Sequence, residues 1–297
     1  MTSSRSIYVR LALGIVAVSF GAIFVRMASE AAPFASAAWR LTLAAVVLVG
    51  TAALRPTDSM TWRAAGWCAL SGTALALHFA LWFSSLQFTS VSSSVLFMST
   101  HPLFVGFGSM VLLDERPTRR LAGATALAIL GGALIGFGDF RFAGSALYGD
   151  ALAIGGGLMA AVYFMIGRRV RRTVSALEYN AATYAAAAVL TLLLCAATGT
   201  KLVGFGARTT TFLILLAVVP QLIGHSTLNW ALAHLPASRV SFWVLGEPVA
   251  ATVLALTLFN EVPRGLNIAG AALILVAIYL SLRDKEIPHV HRPHPRT

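Results

Sequence analysis

The sequence predicts an all-α membrane protein with ten transmembrane helices, arranged as two five-helix inverted-topology repeats around a central cavity, with both termini in the cytoplasm. Three observations predict this fold class. The 297 residues are 58% hydrophobic and only 11% charged, which is too apolar for a soluble core. Apolar runs of about 20 residues, the length that spans the hydrocarbon core of a bilayer, follow one another along the chain. The two halves of the chain also share a spacing of Pro, Glu and Ser.

The apolar runs define the ten predicted spans and leave little of the chain outside the membrane. In chain order they cover residues 8–25, 34–54, 66–88, 91–113, 121–137, 146–166, 177–198, 211–235, 240–259 and 266–282. The connections are short and contain breaks such as Arg55-Pro56, so they leave no room for a soluble domain.

The first run is too long for a cleaved signal peptide. Cys68 and Cys195 stand at no motif spacing, so we expect both to be packing residues.

The distribution of basic residues predicts the orientation in the membrane. With the N-terminus in the cytoplasm, all but six of the 22 Lys and Arg residues fall on the cytoplasmic side, as the positive-inside rule requires. The six exceptions are Arg26, Arg40, Arg141, Lys201, Arg208 and Arg264. The same bias accounts for the basic run RRVRR at residues 168–172, for which we expect no nucleic-acid partner.

An offset of 146 residues superposes several residues that are not interchangeable. It aligns Pro102 with Pro248, Glu115 with Glu261, Pro117 with Pro263 and Ser92 with Ser238. We therefore predict a first repeat at 1–143, a second repeat at 144–285 and a cytoplasmic tail at 286–297. Because each repeat has an odd number of helices, the second enters the membrane from the opposite side, as in transporters that bind their substrate near the midplane.

Longer segments of both halves point to a known family. The exits LDERP and FNEVP and the segments ALWFSSLQFTSVSSS and LNWALAHLPASRVS resemble those of the drug/metabolite transporter superfamily, particularly its EamA-type ten-helix branch. Within that branch the chain is most similar to the YddG-type exporters of aromatic amino acids. The resemblance covers nearly the whole chain. It implies export of small metabolites through a central cavity by alternating access, in a multi-pass protein of the cell inner membrane.

Two polar residues beside prolines interrupt predicted spans and are candidates for the transport site. Glu247 precedes Pro248, and His101 precedes Pro102 at the repeat-related position. A charge at the centre of a lipid-facing helix costs roughly 2.5–3.5 kcal/mol, so we expect Glu247 to face protein or a wet cavity. It either meets a substrate ammonium, exchanges a proton during the cycle, or is a buried protonated packing group. His101 either faces the same cavity or bonds a backbone carbonyl, and the two prolines are candidate hinges.

Further polar and aromatic residues recur four positions apart, so each set faces one direction on its helix. These residues are His78 and Trp82 on the third span, Gln221, His225 and Asn229 on the eighth, and Trp243 with Glu247 on the ninth. Additional candidates for aromatic and sulfur walls are Phe97, Met98 and Tyr163. Packing against neighbouring helices is the alternative for each aromatic. Together they favour a cavity for an amphipathic solute over one for a sugar or an ion.

These patterns favour an inner-membrane exporter of aromatic or other hydrophobic amino acids and related amphipathic compounds. Its expected partners are that small-molecule substrate and the lipid bilayer, with protons as a candidate coupling ion. A nucleotide-sugar transporter is the main alternative, but we find no basic residue placed at the midplane to bind a diphosphate. Arg40 lies two turns inside the second span; it either attracts a carboxylate at the outer mouth or, as we favour, extends to the interface. A lipid-modifying enzyme is less favoured because catalytic motifs such as HExxH are missing, and we expect no cofactor.

Overall fold

A computed structural model describes residues 4–55, 60–89, 91–137, 144–259 and 265–283. Within these ranges the chain forms helices joined by turns, with no strand. The helices are α1 (Ser4–Met27), α2 (Pro33–Ala53), α3 (Trp62–Ser85), α4 in two segments (Val91–Met98 and His101–Leu112), α5 (Arg119–Phe137), α6 (Ser145–Val170), α7 (Ala176–Thr198), α8 in three consecutive segments (Ala207–Leu216, Ala217–His225 and Ser226–Ala231), α9 in two segments (Ala237–Val244 and Glu247–Phe259) and α10 (Gly265–Leu282).

Each of these helices coincides with one predicted span. In the described ranges, nine are long and apolar enough to cross a membrane, and α5 matches the remaining predicted span. Large apolar side chains cover the outer surface, among them Leu13, Phe107 and Leu193, which are 64%, 69% and 60% exposed. Such a surface is what a lipid environment requires. Glu261 and Pro263 of the predicted second exit, the residues on the N-terminal side of the predicted repeat boundary (138–143) and the predicted tail at 286–297 lie outside the described residues.

Prolines mark the interruptions in α4 and α9. At both breaks the backbone bonds tighten to a three-residue separation: Thr100 donates to the Phe97 carbonyl at 3.2 Å, and Gly246 donates to the Trp243 carbonyl at 3.0 Å. Pro102 and Pro248 are then the second residues of the new segments, a position at which helices tolerate proline. The two predicted hinge residues therefore stand where their helices are broken.

A third irregularity lies in the middle segment of α8. Residues Ala217–His225 form a π-helix that contains Pro220. Proline removes one backbone donor, and the wider turn accommodates the extra residue. This segment carries Gln221 and His225, two of the predicted site residues, so the widened turn sets the direction in which they point.

The two halves of the chain interleave. α3 packs against α6, α1 against α8, α2 against α7, and α5 against α10. In each pair, one helix comes from the first half of the chain and one from the second. The crossing of α5 and α10 is close because glycines meet there: a Cβ on Gly131 would lie 2.6 Å from the Gly270 carbonyl oxygen, so a larger residue would separate the helices.

Candidate functional site

A cavity lies where the broken helices meet the interleaved pairs. We call it the central cavity and define it by its lining residues, which come from α1, α2, α3, α4, α6, α8 and α9. They are Val18, Arg40, His78, Trp82, Met98, His101, Ala160, Tyr163, Phe164, His225, Leu228, Val244 and Glu247. The volume open to the centres of water molecules is ≈ 30 Å³, which is room for about two waters.

Seven of the eleven predicted site residues line this cavity: His78, Trp82, Met98, His101, Tyr163, His225 and Glu247. His101 and Glu247, the repeat-related pair, therefore share one cavity. The other four do not line it. Gln221 and Asn229 bond residues of the cavity wall, Phe97 is half-buried beside Met98, and Trp243 stacks on the ring of Tyr8 with a centroid distance of 5.2 Å.

Arg40 corrects the sequence analysis. Its side chain is only 1% exposed and lines the central cavity, so the expectation that it extends to the membrane interface is wrong. Its Nε donates to the Gln221 Oε1 at 2.6 Å, and its guanidinium carbon lies 4.0 Å from the Phe79 ring centre. These contacts replace water with an acceptor and an aromatic face. The cavity consequently contains the basic group that the sequence analysis did not place there.

Glu247 supplies the opposite charge. It is 8% exposed, and no described residue donates a hydrogen bond to its carboxylate. The ion pairs found among the described residues all involve Glu115, so Arg40 and Glu247 line one cavity without forming an ion pair within 4 Å. Within the described ranges, Gln221 is also the single hydrogen-bond acceptor of Arg40. The cavity therefore holds an acidic and a basic side chain that form no direct ion pair with each other.

The side chain of His101 supplies a hydrogen-bond donor to a backbone carbonyl at the break in α4. Pro102 has no N–H for the Met98 carbonyl, and the Nδ1 of His101 donates to that oxygen instead, at 3.2 Å. Since a carbonyl only accepts, Nδ1 carries the proton and Nε2 remains an acceptor, without a partner among the described residues. A Cβ on Gly157 would lie 2.9 Å from the same carbonyl oxygen, so glycine lets α6 approach the break. Glu247 stands at the equivalent position of α9. When it is ionised, its side chain has no proton and cannot donate a comparable bond to a backbone carbonyl.

The remaining wall is aromatic and held by a buried polar network. The hydroxyl of Tyr163 donates to the Asn229 Oδ1 at 2.7 Å, and the Nδ2 of Asn229 donates to the Asn180 Oδ1 at 2.7 Å. The rings of His78 and Trp82 stack with a centroid distance of 5.8 Å. The hydrogen-bond network fixes the ring of Tyr163, and the stacking fixes the rings of His78 and Trp82. The wall therefore presents flat apolar faces to the cavity.

Three polar ring atoms of this wall are buried without a hydrogen-bond partner in the described part of the chain: the Nε1 of Trp82, the Nε2 of His101 and the Nδ1 of His225. An orphaned buried polar group costs about 1–3 kcal/mol. The cavity therefore retains unused donors and acceptors beside its two charges.

A second buried charge cluster lies away from the cavity and was missed from the sequence. Glu115, which is 7% exposed, accepts hydrogen bonds from the Nε of Arg168 and the Nη2 of Arg172, both at 2.7 Å, and from the backbone N–H of Ala237 at 3.3 Å. We call these four residues the Glu115 cluster. It ties the exit of α4 to the end of α6 and the start of α9, on the face we predict to be cytoplasmic.

The other end of α6 has a polar contact of its own. Asp150 is 3% exposed, and its Oδ1 accepts from the hydroxyls of Thr89 and Ser93, both at 2.8 Å. Glu115 and Asp150 both lie near helix ends, whereas Glu247 lies at the break within α9. The structure buries all three.

Comparison with known proteins decides the family. The sequence model of the EamA-like transporter family matches residues 6–137 and again residues 147–283. The chain belongs to the EamA-like transporter family. An uncharacterized transporter of Archaeoglobus fulgidus is 25% identical over 290 residues, which are 95% of this chain and 98% of that protein. One solved crystal structure superposes with a TM-score of 0.77 at 21% identity, covering 94% of this chain and 97% of the other. This EamA-like protein is therefore a multi-pass membrane transporter, and its central cavity is the candidate substrate site.

Proposed function

We propose that this EamA-like transporter exports aromatic or other hydrophobic amino acids, and related amphipathic molecules, across the inner membrane by alternating access. The observation that carries the proposal is a cavity with aromatic walls and a buried carboxylate that no described residue bonds. Flat rings suit an apolar side chain, and an acid without a partner suits an ammonium group.

The small volume of the cavity supports a cycle with moving helices. A space of ≈ 30 Å³ for water centres accommodates water but not a phenyl or indole ring, so a substrate enters only if the walls separate. The breaks in α4 and α9 and the π-segment of α8 all border the cavity, and interrupted helices are where such changes are absorbed. Each of the main helix pairs joins a helix of the first half to a helix of the second half. This packing supports two inverted repeats that move against each other during transport.

Nucleotide-sugar transport is the second candidate, and Arg40 is the observation that favours it. A guanidinium binds phosphate well. Glu247 lines the same cavity, however, and its carboxylate repels a diphosphate that carries two or more negative charges. An amino acid contains both signs of charge and satisfies both residues, so the cavity fits it better.

Reconstituted protein tests the assignment directly. Proteoliposomes are loaded with labelled phenylalanine, tryptophan, threonine or a nucleotide sugar, and efflux is compared with that from empty liposomes. We expect phenylalanine and tryptophan to leave fastest. Efflux of the nucleotide sugar alone would reject the proposal.

Proton coupling is examined separately with Glu247→Gln under an imposed pH gradient. If the carboxylate exchanges protons, the flux that the variant retains no longer responds to the gradient. An unchanged response at full flux would make Glu247 a packing residue.

A further inference from the structure

We propose that Arg40 and Glu247 form a two-point site for the charged backbone of an α-amino acid. The guanidinium of Arg40 binds the carboxylate, Glu247 binds the ammonium group, and the side chain lies against the aromatic wall. This inference rests on the proposed function and deepens it, because it names the chemical groups by which the substrate is selected.

The surroundings of Arg40 leave its charge available to a ligand. Gln221 accepts only the Nε–H, and an arginine has five N–H donors in a planar fork. The ring of Phe79 covers one face at 4.0 Å, and Gly21 leaves space at the edge, since a Cβ there would still lie 3.5 Å from Nη1. The guanidinium is thus held in orientation while its terminal N–H groups have no acceptor among the described residues. A carboxylate supplies the two oxygens that such a fork binds.

Glu247 lines the same cavity from α9. It is the first residue of the second segment of α9, where the backbone N–H groups of the first turn have no helical partner. The positive end of the helix dipole favours a negative charge there. The carboxylate has no bonded cation among the described residues, so an ammonium group is the complementary ligand.

A buried acid and a buried base that each lack a bonded counter-ion are costly, and a zwitterion supplies a counter-ion to both at once. Leaving a buried charge unpaired is strongly destabilising. A simple anion would satisfy Arg40 but repel Glu247, and a simple cation would do the reverse. A molecule with both charges and no net charge is the ligand class that satisfies the pair, and the orphaned ring atoms of Trp82, His101 and His225 extend the polar contacts around it.

The test compares three molecules that share one ring. Phenylalanine has both charges, phenylalaninamide lacks the carboxylate, and 3-phenylpropionate lacks the ammonium group. Binding to the purified wild-type protein is measured by calorimetry, and transport in proteoliposomes. We expect the wild type to bind phenylalanine roughly 10- to 100-fold more tightly than either analogue, the range of a charged hydrogen bond.

Two variants assign the contacts. Arg40→Gln is expected to lower phenylalanine transport roughly 10- to 100-fold and to leave phenylalaninamide transport within about twofold. Glu247→Gln is expected to lower phenylalanine transport to the same degree and to spare 3-phenylpropionate. Arg40→Lys retains the positive charge but not the planar guanidinium. We therefore expect its phenylalanine transport to lie between that of the wild type and that of Arg40→Gln.

A matched control is Ser36→Ala, one turn from Arg40 on the same buried face of α2 and outside the cavity lining; its transport should equal that of the wild type. An equal loss for all three molecules in both variants would overturn the inference and leave the proposed function standing. So would equal binding of the three by the wild type, a readout that needs no variant. If the wild type carries none of the three, the proposed function fails and this inference fails with it.

Discussion

Glu115→Gln is expected to destabilise the protein by loosening the Glu115 cluster, which lies well away from the proposed substrate site. The substitution keeps the shape of the side chain and an acceptor oxygen but removes the negative charge. Arg168, which is 2% exposed, would then be a buried cation without a counter-ion, with the neutral glutamine oxygen and the Leu232 carbonyl at 2.7 Å as its acceptors. The helices that meet at this cluster are α4, α6 and α9, so the effect should be felt by the whole bundle.

The magnitude follows from how buried each partner is. Removing one member of a buried ion pair costs about 3–5 kcal/mol. The side chain of Arg172 is 39% exposed, so its share is about that of a surface pair, 0–1 kcal/mol. Because the glutamine oxygen still accepts one bond, we expect a loss near the lower limit, about 3 kcal/mol. For a chain of this size that corresponds to a fall in the melting temperature of roughly 5–10 °C.

The measurement is thermal unfolding of the purified protein in detergent, with a double-mutant cycle that combines Glu115→Gln and Arg168→Gln. Direct contact predicts that the double variant is more stable than the sum of the single losses implies. Glu30→Gln is the control, since Glu30 is an exposed acid that accepts the Gly206 N–H at 2.8 Å and a glutamine can accept the same bond. Additive losses in the cycle, or a melting temperature unchanged by Glu115→Gln, would refute the reasoning.

Three further substitutions test the packing and bonds around the cavity. Gly157→Leu inserts a side chain beside the Met98 carbonyl and is expected to abolish the monodisperse peak in size-exclusion chromatography, whereas Gly155→Ala, whose Cβ would meet its nearest neighbour at 3.4 Å, should not. His101→Leu leaves the Met98 carbonyl without its donor and should cost about 1–3 kcal/mol of unfolding free energy; an unchanged melting temperature would contradict the bond. Asn229→Leu removes the centre of the buried network and should raise the KM for phenylalanine several-fold, and an unaltered KM would show that the network does not position the wall.

Much of the fold follows from local signals. Each described helix coincides with an apolar run, because a bilayer-spanning segment is a property of about 20 consecutive residues. The breaks in α4 and α9 were predicted because proline acts on its own helix. The sequence left open whether His101 faces the cavity of Glu247 or bonds a backbone carbonyl, and it does both.

The residue that the sequence misplaced, Arg40, and the buried contact that it missed, at Arg168, both involve partners that are distant in sequence. Arg40 bonds Gln221 across 181 positions, and Arg168 bonds Glu115 across 53. Hydropathy predicts that burying either arginine is unfavourable, but it does not show whether a hydrogen-bond acceptor lies inside the bundle. The small residues Ser36, Ala37 and Ala44 on the buried face of α2 were the available signal that Arg40 points inward. Trp243 was expected on the same face as Glu247 four residues later, but the two lie on different segments of α9, so helical spacing does not carry across the break.

The placement of three unlike walls on separate helices has a geometric consequence. Arg40 lies on α2, Glu247 on α9, and the rings of Trp82 and Tyr163 on α3 and α6. A cation, an anion and a flat apolar surface at three corners define a handed frame for a solute that reaches them from one side of their plane. A solute with a carboxylate, an ammonium and a ring around one tetrahedral carbon matches this frame in one mirror form, while its enantiomer satisfies any two corners and misses the third. A cavity of this kind therefore distinguishes between the two enantiomers of such a solute.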